Sequence, residues 1–352
     1  MSWNSTTESS VSRLGQSNGA GNARNLFLKQ FSGEVLTAFQ EKNVAMPLHR
    51  VRTISNGKSA SFPSIGTTTA AYHSAGEVIY GGSVPAKEIV VTVDDLLVSS
   101  AFIPKIDEAM NHYDVRSIYS SELGNALANA ADKNIFSTIY RATIGGTNSG
   151  DLEAQWTNAD FAGLSDTDAD QGAVNGQAGR VDINDTDDEG TTSPVLTAEK
   201  IVDGIINSLM QFDKHDVGGE KSVVLDAQTY YTLMGGDSRA INRDFGGAGG
   251  IVAGTVPSIG GAKIYMSNNL PDAAQGTTPS TESNRGTDVY TGVSNANLKG
   301  MVFTKDAAAT VKLLDLGVES EYQIDRQGTL MVAKYAMGHN VLRHKSAIAL
   351  VA

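Results

Sequence analysis

SAFIPKIDEAMNHYDVRSIYSSELGNALANAADKNIFSTIYRAT, residues 100–143, is the longest region in which apolar residues return at helical spacing without a Gly-Pro break. Ile118, Leu123, Leu127, Ala130, Ala131, Ile135 and Ile139 fall every three to four positions, the interval that lines up side chains on one face of an α-helix. The spacing predicts one helix from Asp114 to about Arg141. Asp114 is placed to cap the first free backbone donors of a helix starting at Val115, and Pro104 suits the opening of a short preceding turn. A helix of some 27 residues is roughly 40 Å long at about 1.5 Å per residue, more than an ordinary surface helix of a compact domain needs. It reads as a spine. Gly124 costs about 1 kcal/mol in a helix interior and is tolerated where a neighbouring element packs close.

Just upstream the period changes. VRTISNGKSASFPSIG and KEIVVTVDDLLVSSAF, within residues 51–102, each show partial two-fold alternation, the pattern of half-buried strands. Strands are expected near 49–54, 59–65 and 87–93, organised as a long β excursion whose ends meet again before the spine. Its middle, TTTAAYHSAGEVIYGGSVPA, holds little material for a core. A long two-stranded excursion is marginal alone, so it rests either on a neighbouring subunit or in an ordinary sheet of hairpins. Residues 1–25 are rich in Ser, Asn and Gly and read as an arm or tail. Leu26, Phe27, Phe31, Val35, Leu36 and Phe39 then restore helical spacing, a short amphipathic helix that docks on its own subunit or on a neighbour.

Downstream, residues 150–192 hold nine Asp and two Glu against one basic residue, Arg180. Like charges among turn formers at this density read as an exposed loop or insertion. VDINDTDDEG invites a calcium-loop reading, with Asp182 and Asn184 at the first and third positions. It fails at Asp187, where glycine is required, and at Ser193, where an acid is required. Residues 194–234 regain order: Ile201, Ile205, Leu209 and Phe212 share a helical face behind a possible N-cap at Thr197. SVVLDAQTYYTLMGG reads as a buried strand entering a short helix, and AKIYMSNNLP as another strand beyond a glycine-rich link, the grammar of a mixed α/β unit. GGAGG at 246–250 lacks the Lys-Ser/Thr ending of a phosphate loop and the spacing of a dinucleotide fingerprint. Residues 271–296 are another polar link. The chain ends in strand-like VKLLDLGVESEY, a loop at 325–328, strand-like TLMVAKYAMGHNVLR and an apolar AIALV that belongs in a sheet.

Composition excludes much chemistry. With 352 residues the chain can bury a sizeable core in two or more subdomains. It has no cysteine, which removes disulfides, thiolate nucleophiles and cysteine-bound metals. It shows no signal-peptide pattern and no run of 18 apolar residues, so neither secretion nor membrane insertion is expected. A net charge of -12 argues against a general affinity for nucleic-acid backbones. The six histidines show no HExxH or comparable ligand spacing, and no GxSxG or SxxK nucleophile signature occurs. No catalytic residue, metal site or cofactor is expected, and the protein is not expected to be an enzyme. His112 and His339 read as hydrogen-bonded structural groups rather than acid-base catalysts. Two other classes fit parts of the sequence: a decoration or surface-binding module using the acidic loops, and a serine hydrolase using His112, Asp114 and Ser117, for which the helix geometry is poor because the histidine lies before the cap. An isopeptide crosslink from Lys58 or Lys87 needs a buried acid that no motif reveals.

FLKQFSGEVLTAF (27–39), RTISNGKSASFPSIGTTTAAY (52–72), DEAMNHYDVRSIYSSELG (107–124) and KYAMGHNVLR (334–343) closely resemble the major capsid protein of short-tailed bacteriophages of the autographivirus group. Residues 145–192 and 272–296 depart from that pattern. The resemblance implies an α+β, Hong Kong 97-like capsid fold. Carried onto this chain, it gives an N-terminal arm at 1–48, an extended β loop at 49–94, and a peripheral domain with the long spine helix at 95–145 plus 305–345. An axial α/β domain would occupy 146–304 with the acidic insertion 150–192, and 346–352 would form a C-terminal strand. It also implies a homo-oligomer of hexamers and pentamers forming an icosahedral head, a scaffolding protein, a portal protein and enclosed double-stranded DNA without sequence-specific binding or a membrane. The virion capsid would be its location, after assembly in the host bacterial cytoplasm. Inter-subunit contacts are expected at Phe27, Phe31, Arg52, Lys58, Tyr72, Glu77 and Lys87. Asn111, His112, Tyr113, Asp114 and Arg116 match the family signature at the spine start, with Asp114 as the cap and Arg116 in an ion pair.

Overall fold

A computed structural model describes residues 43–106 apart from 67, 69, 71, 77 and 80, together with 115–144, 156, 179–185, 195–235, 258–271 and 297–352. The spine is present. Helix α1 runs from Val115 to Ile144, 30 residues, three residues beyond the expected end. Leu123, Leu127, Ala131, Ile135 and Ile139 are buried as the spacing requires. Ile118 is instead 55% exposed, because the surface beneath the helix begins at Leu123, with Tyr119 only partly packed at its margin. Gly124 is buried.

Two sheets share this helix. The first has the order β1-β12-β13-β4, with β1 at Arg50–Thr53, β4 at Leu97–Pro104, β12 at Ala308–Gln323 and β13 at Gly328–Val341. Its β12–β13 hairpin follows the predicted strand-loop-strand ending, and β13 pairs antiparallel with β4 from Gly328↔Pro104 to Tyr335↔Leu97. Side chains alternate across a strand, so Met331, Ala333, Tyr335 and Met337 of β13 join Ala101 and Ile103 of β4 beneath Leu123, Leu127, Ala128 and Ala131. Two expectations change here. The strand near 49–54 leaves the β excursion and pairs parallel with β12, Arg50↔Ala309 to Thr53↔Lys312. Residues 97–104 form a further strand, β4, and Pro104, expected to open a short turn, closes that strand instead, with helical backbone beginning at Lys105.

The second sheet has the order β5-β14-β11-β8-β10-β9, comprising Arg180–Asp182, Ala347–Val351, Leu298–Thr304, Lys221–Leu225, Ala262–Met266 and Ser258–Ile259. Its two faces are apolar because it is covered on both sides. Val224, Met301, Phe303, Ala347, Ala349 and Val351 face Ile135, Phe136, Ile139 and Tyr140 of α1. Val223, Leu225, Val302, Ile348 and Leu350 pack with helix α2, Ala198–Lys214, and helix α3, Ala227–Gly235. Ile201, Ile205, Leu209 and Phe212 are buried there, and Thr197 caps α2 by accepting the Lys200 N–H at 3.4 Å. Strand β8, α3 and parallel β10 form the expected strand-helix-strand unit. The terminal AIALV lies inside this sheet between β11 and β5.

The acidic segment is not wholly an exposed loop. Val181 and Ile183 are buried, β5 pairs parallel with β14, and the Trp156 indole donates to the Ala347 carbonyl at 3.0 Å. The apolar residues among the acids supply sheet and helix contacts that the charge count concealed. A short pair, β6 at Asn184–Asp185 and β7 at Val195–Leu196, follows.

The remaining hairpin pairs β2, Ser59–Ile65, with β3, Ala86–Thr92, antiparallel. Its base seats Ile89, Val91 and Val93 on Ala309, Val311 and Ala336, the face of the first sheet opposite α1. The excursion rests at its root on its own subunit.

Candidate assembly surfaces and the arm junction

Residues 43–53 enter the body across α1 and the first sheet. Asn43 Oδ1 accepts the Met46 N–H at 2.7 Å, and Met46–Leu48 makes one 3-10 turn. Asp132, buried on α1, accepts the Val44 N–H on Oδ2 at 3.0 Å and the Ala45 N–H on Oδ1 at 3.1 Å. Burial pushes its carboxyl up to about 6, against the opposing pull of those two N–H groups and of Asn269.

His49 continues the strap. Its Nδ1 lies 2.8 Å from the Ala45 carbonyl, its Nε2 faces Thr310 Oγ1, and Thr310 Oγ1 lies 2.7 Å from His339 Nδ1. Burial lowers His49 to about 4, so the ring is neutral near pH 7. A carbonyl only accepts, so the His49 proton sits on Nδ1 and Nε2 is the acceptor. Thr310 therefore donates to His49 and accepts from His339 Nδ1–H. The chain from Ala45 through His49 and Thr310 to His339 joins the arm junction to β12 and β13. His339 is thus structural, as expected from the sequence.

The extended hairpin is fixed at its root and open beyond it. Arg52 donates to the Ser61 carbonyl at 3.1 Å and its guanidinium lies 5.8 Å from the Phe62 ring centre. Asn340 Nδ2 donates to the Val90 carbonyl at 3.0 Å, and the Asp94 N–H to the Met337 carbonyl at 3.2 Å. Between these bonds, a Cβ on Gly338 would fall 2.0 Å from the Thr92 carbonyl oxygen, so the hairpin crosses β13 backbone to backbone. Past Ile65, itself 71% exposed, the chain presents Tyr72, Val78, Ile79 and Val84 to solvent, Ile79 at 77%. Exposed apolar groups are thus concentrated on this one projecting element.

Of the residues expected at inter-subunit contacts, Lys58, Tyr72 and Lys87 are exposed on this excursion. Arg52 is exposed too, but it binds its own hairpin. Phe27, Phe31 and Glu77 lie outside the described residues, as do Asn111, His112, Tyr113 and Asp114 at the spine start; Arg116 is described only as backbone of α1. The Asp114 cap, the Arg116 ion pair, the hydrolase constellation and GGAGG fall there as well. Among the described residues, no group of three His, Cys, Asp or Glu side chains is arranged to hold a metal, and no helix is long and apolar enough to cross a membrane. Sequence reasoning missed Asp132 and Thr310. The available signal was an acid at 132 among the apolar positions 128, 131, 135 and 139 of one helix.

The spine shared by two sheets, with a hairpin projecting from one of them, is the architecture of phage capsid shells of the Hong Kong 97-like class. The chain superposes on the bacteriophage PhiM1 mature capsid with a TM-score of 0.63 over 97% of this chain and 91% of that one, at 14% identity, a likeness of fold alone. On the capsid of cyanophage P-SCSP1u the TM-score is 0.68 at 34% identity, covering 94% and 95%. The sequence is 31% identical over 346 residues to the major capsid protein of Escherichia phage T7, covering 94% of this chain and 93% of that protein. It is 30% identical over 352 residues to that of Enterobacteria phage T3, covering 96% and 94%. The profile of the Gp10A-like major capsid proteins matches residues 61–351, and the chain belongs to that family. It is a structural subunit of a bacteriophage capsid shell, located in the virion, and not an enzyme. The decoration-module and hydrolase readings are set aside.

Proposed function

We propose that copies of this subunit form the hexamers and pentamers of an icosahedral head. The first sheet with the N-terminal half of α1 acts as the peripheral domain, and the second sheet with α2 and α3 as the axial domain. The observation that carries this reading is the excursion between Ile65 and Ala86, whose exposed Ile65, Val78 and Ile79 have no core of their own. The expected arm of residues 1–48 ends on its own subunit, where Ala45 and Leu48 are buried. Laid on a neighbouring subunit with the part of the arm before residue 43, the excursion adds an interface without enlarging any core. Lys58, Tyr72, Glu77 and Lys87, with Phe27 and Phe31 of the arm, are the contacts assigned to these elements.

Assembly in the host cytoplasm around a scaffolding protein, with a portal at one vertex and double-stranded DNA packaged afterwards, completes the reading. Its support is family membership. An acidic inner face suits DNA that must slide during packing, and a strongly basic inner surface in an assembled shell would overturn that part. The main test is negative-stain microscopy of the full chain co-expressed with its scaffolding protein. Closed shells or flat hexamers are expected, and discrete monomers overturn the proposal.

A further inference from the structure

We propose that Asn56 is a self-modifying site, converted to aspartate and isoaspartate by ring closure onto the nitrogen of Gly57. The two residues lie in an exposed link between β1 and β2. The link is pinned on both sides by backbone bonds: Ile54 N–H to the Lys312 carbonyl at 2.8 Å, and Val93 N–H to the Lys58 carbonyl at 2.7 Å. Gly57 has a φ of 104°, a conformation that glycine adopts freely. With no Cβ, residue 57 leaves its nitrogen unscreened from the Asn56 side chain.

The chemistry needs only water and a base from solvent. The Gly57 nitrogen gives up its proton and bonds to Asn56 Cγ. The Cγ–Nδ2 bond breaks, and Nδ2 takes up a proton and leaves as ammonia. Water then opens the resulting five-membered imide: attack at Cγ gives aspartate, and attack at the backbone carbonyl gives isoaspartate, with the chain now running through Cγ. Nothing is oxidised or reduced.

Asn340 supplies the contrast within the same protein. Its Nδ2 is held by the Val90 carbonyl, its Oδ1 accepts the Val341 N–H at 3.0 Å, and the residue after it is β-branched. A side chain bonded at both ends and followed by valine does not close the ring. At Asn56 the product adds a carboxylate two residues from Lys58. As isoaspartate it also adds a methylene to the backbone path between the two pinned ends, at the pivot of the extended hairpin.

The test incubates the full chain, free and as shells, at mildly alkaline pH, then digests it with trypsin in water enriched in heavy oxygen so that conversion during digestion carries its own label. Trypsin releases Thr53–Lys58 and Tyr335–Arg343 as separate peptides. The first is expected to gain one mass unit and split into two chromatographic forms, with conversion about tenfold above the Asn340 peptide because glycine leaves the attacking nitrogen open. Asn56→Gln, melting like the parent, should abolish the gain. Conversion no greater than at Asn340, or arising only during digestion, overturns the proposal.

Discussion

Asp132, in the middle of the spine helix, accepts the backbone N–H of Ala45 at 3.1 Å, and its second oxygen takes the N–H of Val44. One carboxylate therefore sets where the arm leaves the body. Asp132→Ala removes the partner of two donors, of which the buried Ala45 N–H costs about 1–3 kcal/mol when left unmade and the partly buried Val44 N–H less. The expected result is a lower urea midpoint near pH 7, with faster hydrogen exchange at Val44 and Ala45 than elsewhere in the chain. Unchanged exchange at those two amides would show that the arm junction is held by other contacts.

The same junction has a pH dependence made of two opposed parts. The protonated form of Asp132 is favoured in the folded state, from 3.8 to about 6, so its contribution is complete below pH 3.8 and is lost as pH rises through about 6. Neutral His49 is favoured in the folded state, from 6.5 to about 4; its contribution is complete above pH 6.5 and is lost as pH falls through about 4. Each part amounts to about 3 kcal/mol at most, and across the intervening range they nearly cancel. Relative to the parent, Asp132→Ala should lose stability as pH falls from 6.5 to 4, whereas His49→Gln should gain it. Urea midpoints measured at several pH values check both slopes, and parallel curves for all three proteins would refute the assignment.

Much of this architecture was legible because it is periodic. The spine and α2 repeat at helical spacing, and β8 is a short apolar run buried on both faces. What was not legible was pairing across long separations. Strand β1 joins β12 and β4 joins β13 more than 200 residues away, and nothing local in Arg50–Thr53 or Leu97–Pro104 distinguishes that from a hairpin. The role of Asp132 leaves no local sign for a related reason: its partners are backbone amides of a distant segment, which carry no side-chain pattern. KYAMGHNVLR, by contrast, carried the resemblance before its role was visible. Tyr335 and Met337 face the spine, Gly338 meets Thr92, His339 meets Thr310, and Asn340 meets Val90.

Gly338→Ala tests that crossing. The new Cβ would lie 2.0 Å from the Thr92 carbonyl oxygen and 2.8 Å from Val93 Cα, so backbone must move. Overpacking of this kind costs about 1–3 kcal/mol. The expected outcome is a lower unfolding midpoint and loss of exchange protection at Asp94, whose N–H bonds to Met337. Retained protection there would mean that the hairpin root tolerates a shift without leaving the sheet.

Gly124→Pro interrupts the spine within the half that packs on the first sheet. Proline removes a backbone donor and clashes with the preceding turn, at about 3 kcal/mol or more. Both sheets are referred to one another through α1, so the break is expected to abolish closed shells in negative stain even where circular dichroism shows retained secondary structure. Normal shells from this variant would count against a mechanical role for the helix.

Ile65 and Ile79 separate assembly from folding. Both are more than two-thirds exposed in the single subunit, so Ile65→Ser and Ile79→Ser remove little that the isolated fold uses, and each should change unfolding stability by no more than about 0.5 kcal/mol. If the excursion lies on a neighbour, the same side chains lose water there, and each is worth about 1.5–3 kcal/mol when fully buried. That loss recurs at every equivalent contact of a shell. The double variant is therefore expected to melt like the parent as a free subunit and to fail to form shells with its scaffolding protein, read by sedimentation and negative stain. Shells of normal yield and stability would place the excursion away from the subunit contacts, and a lowered melting point of the free subunit would show that these residues serve the fold instead.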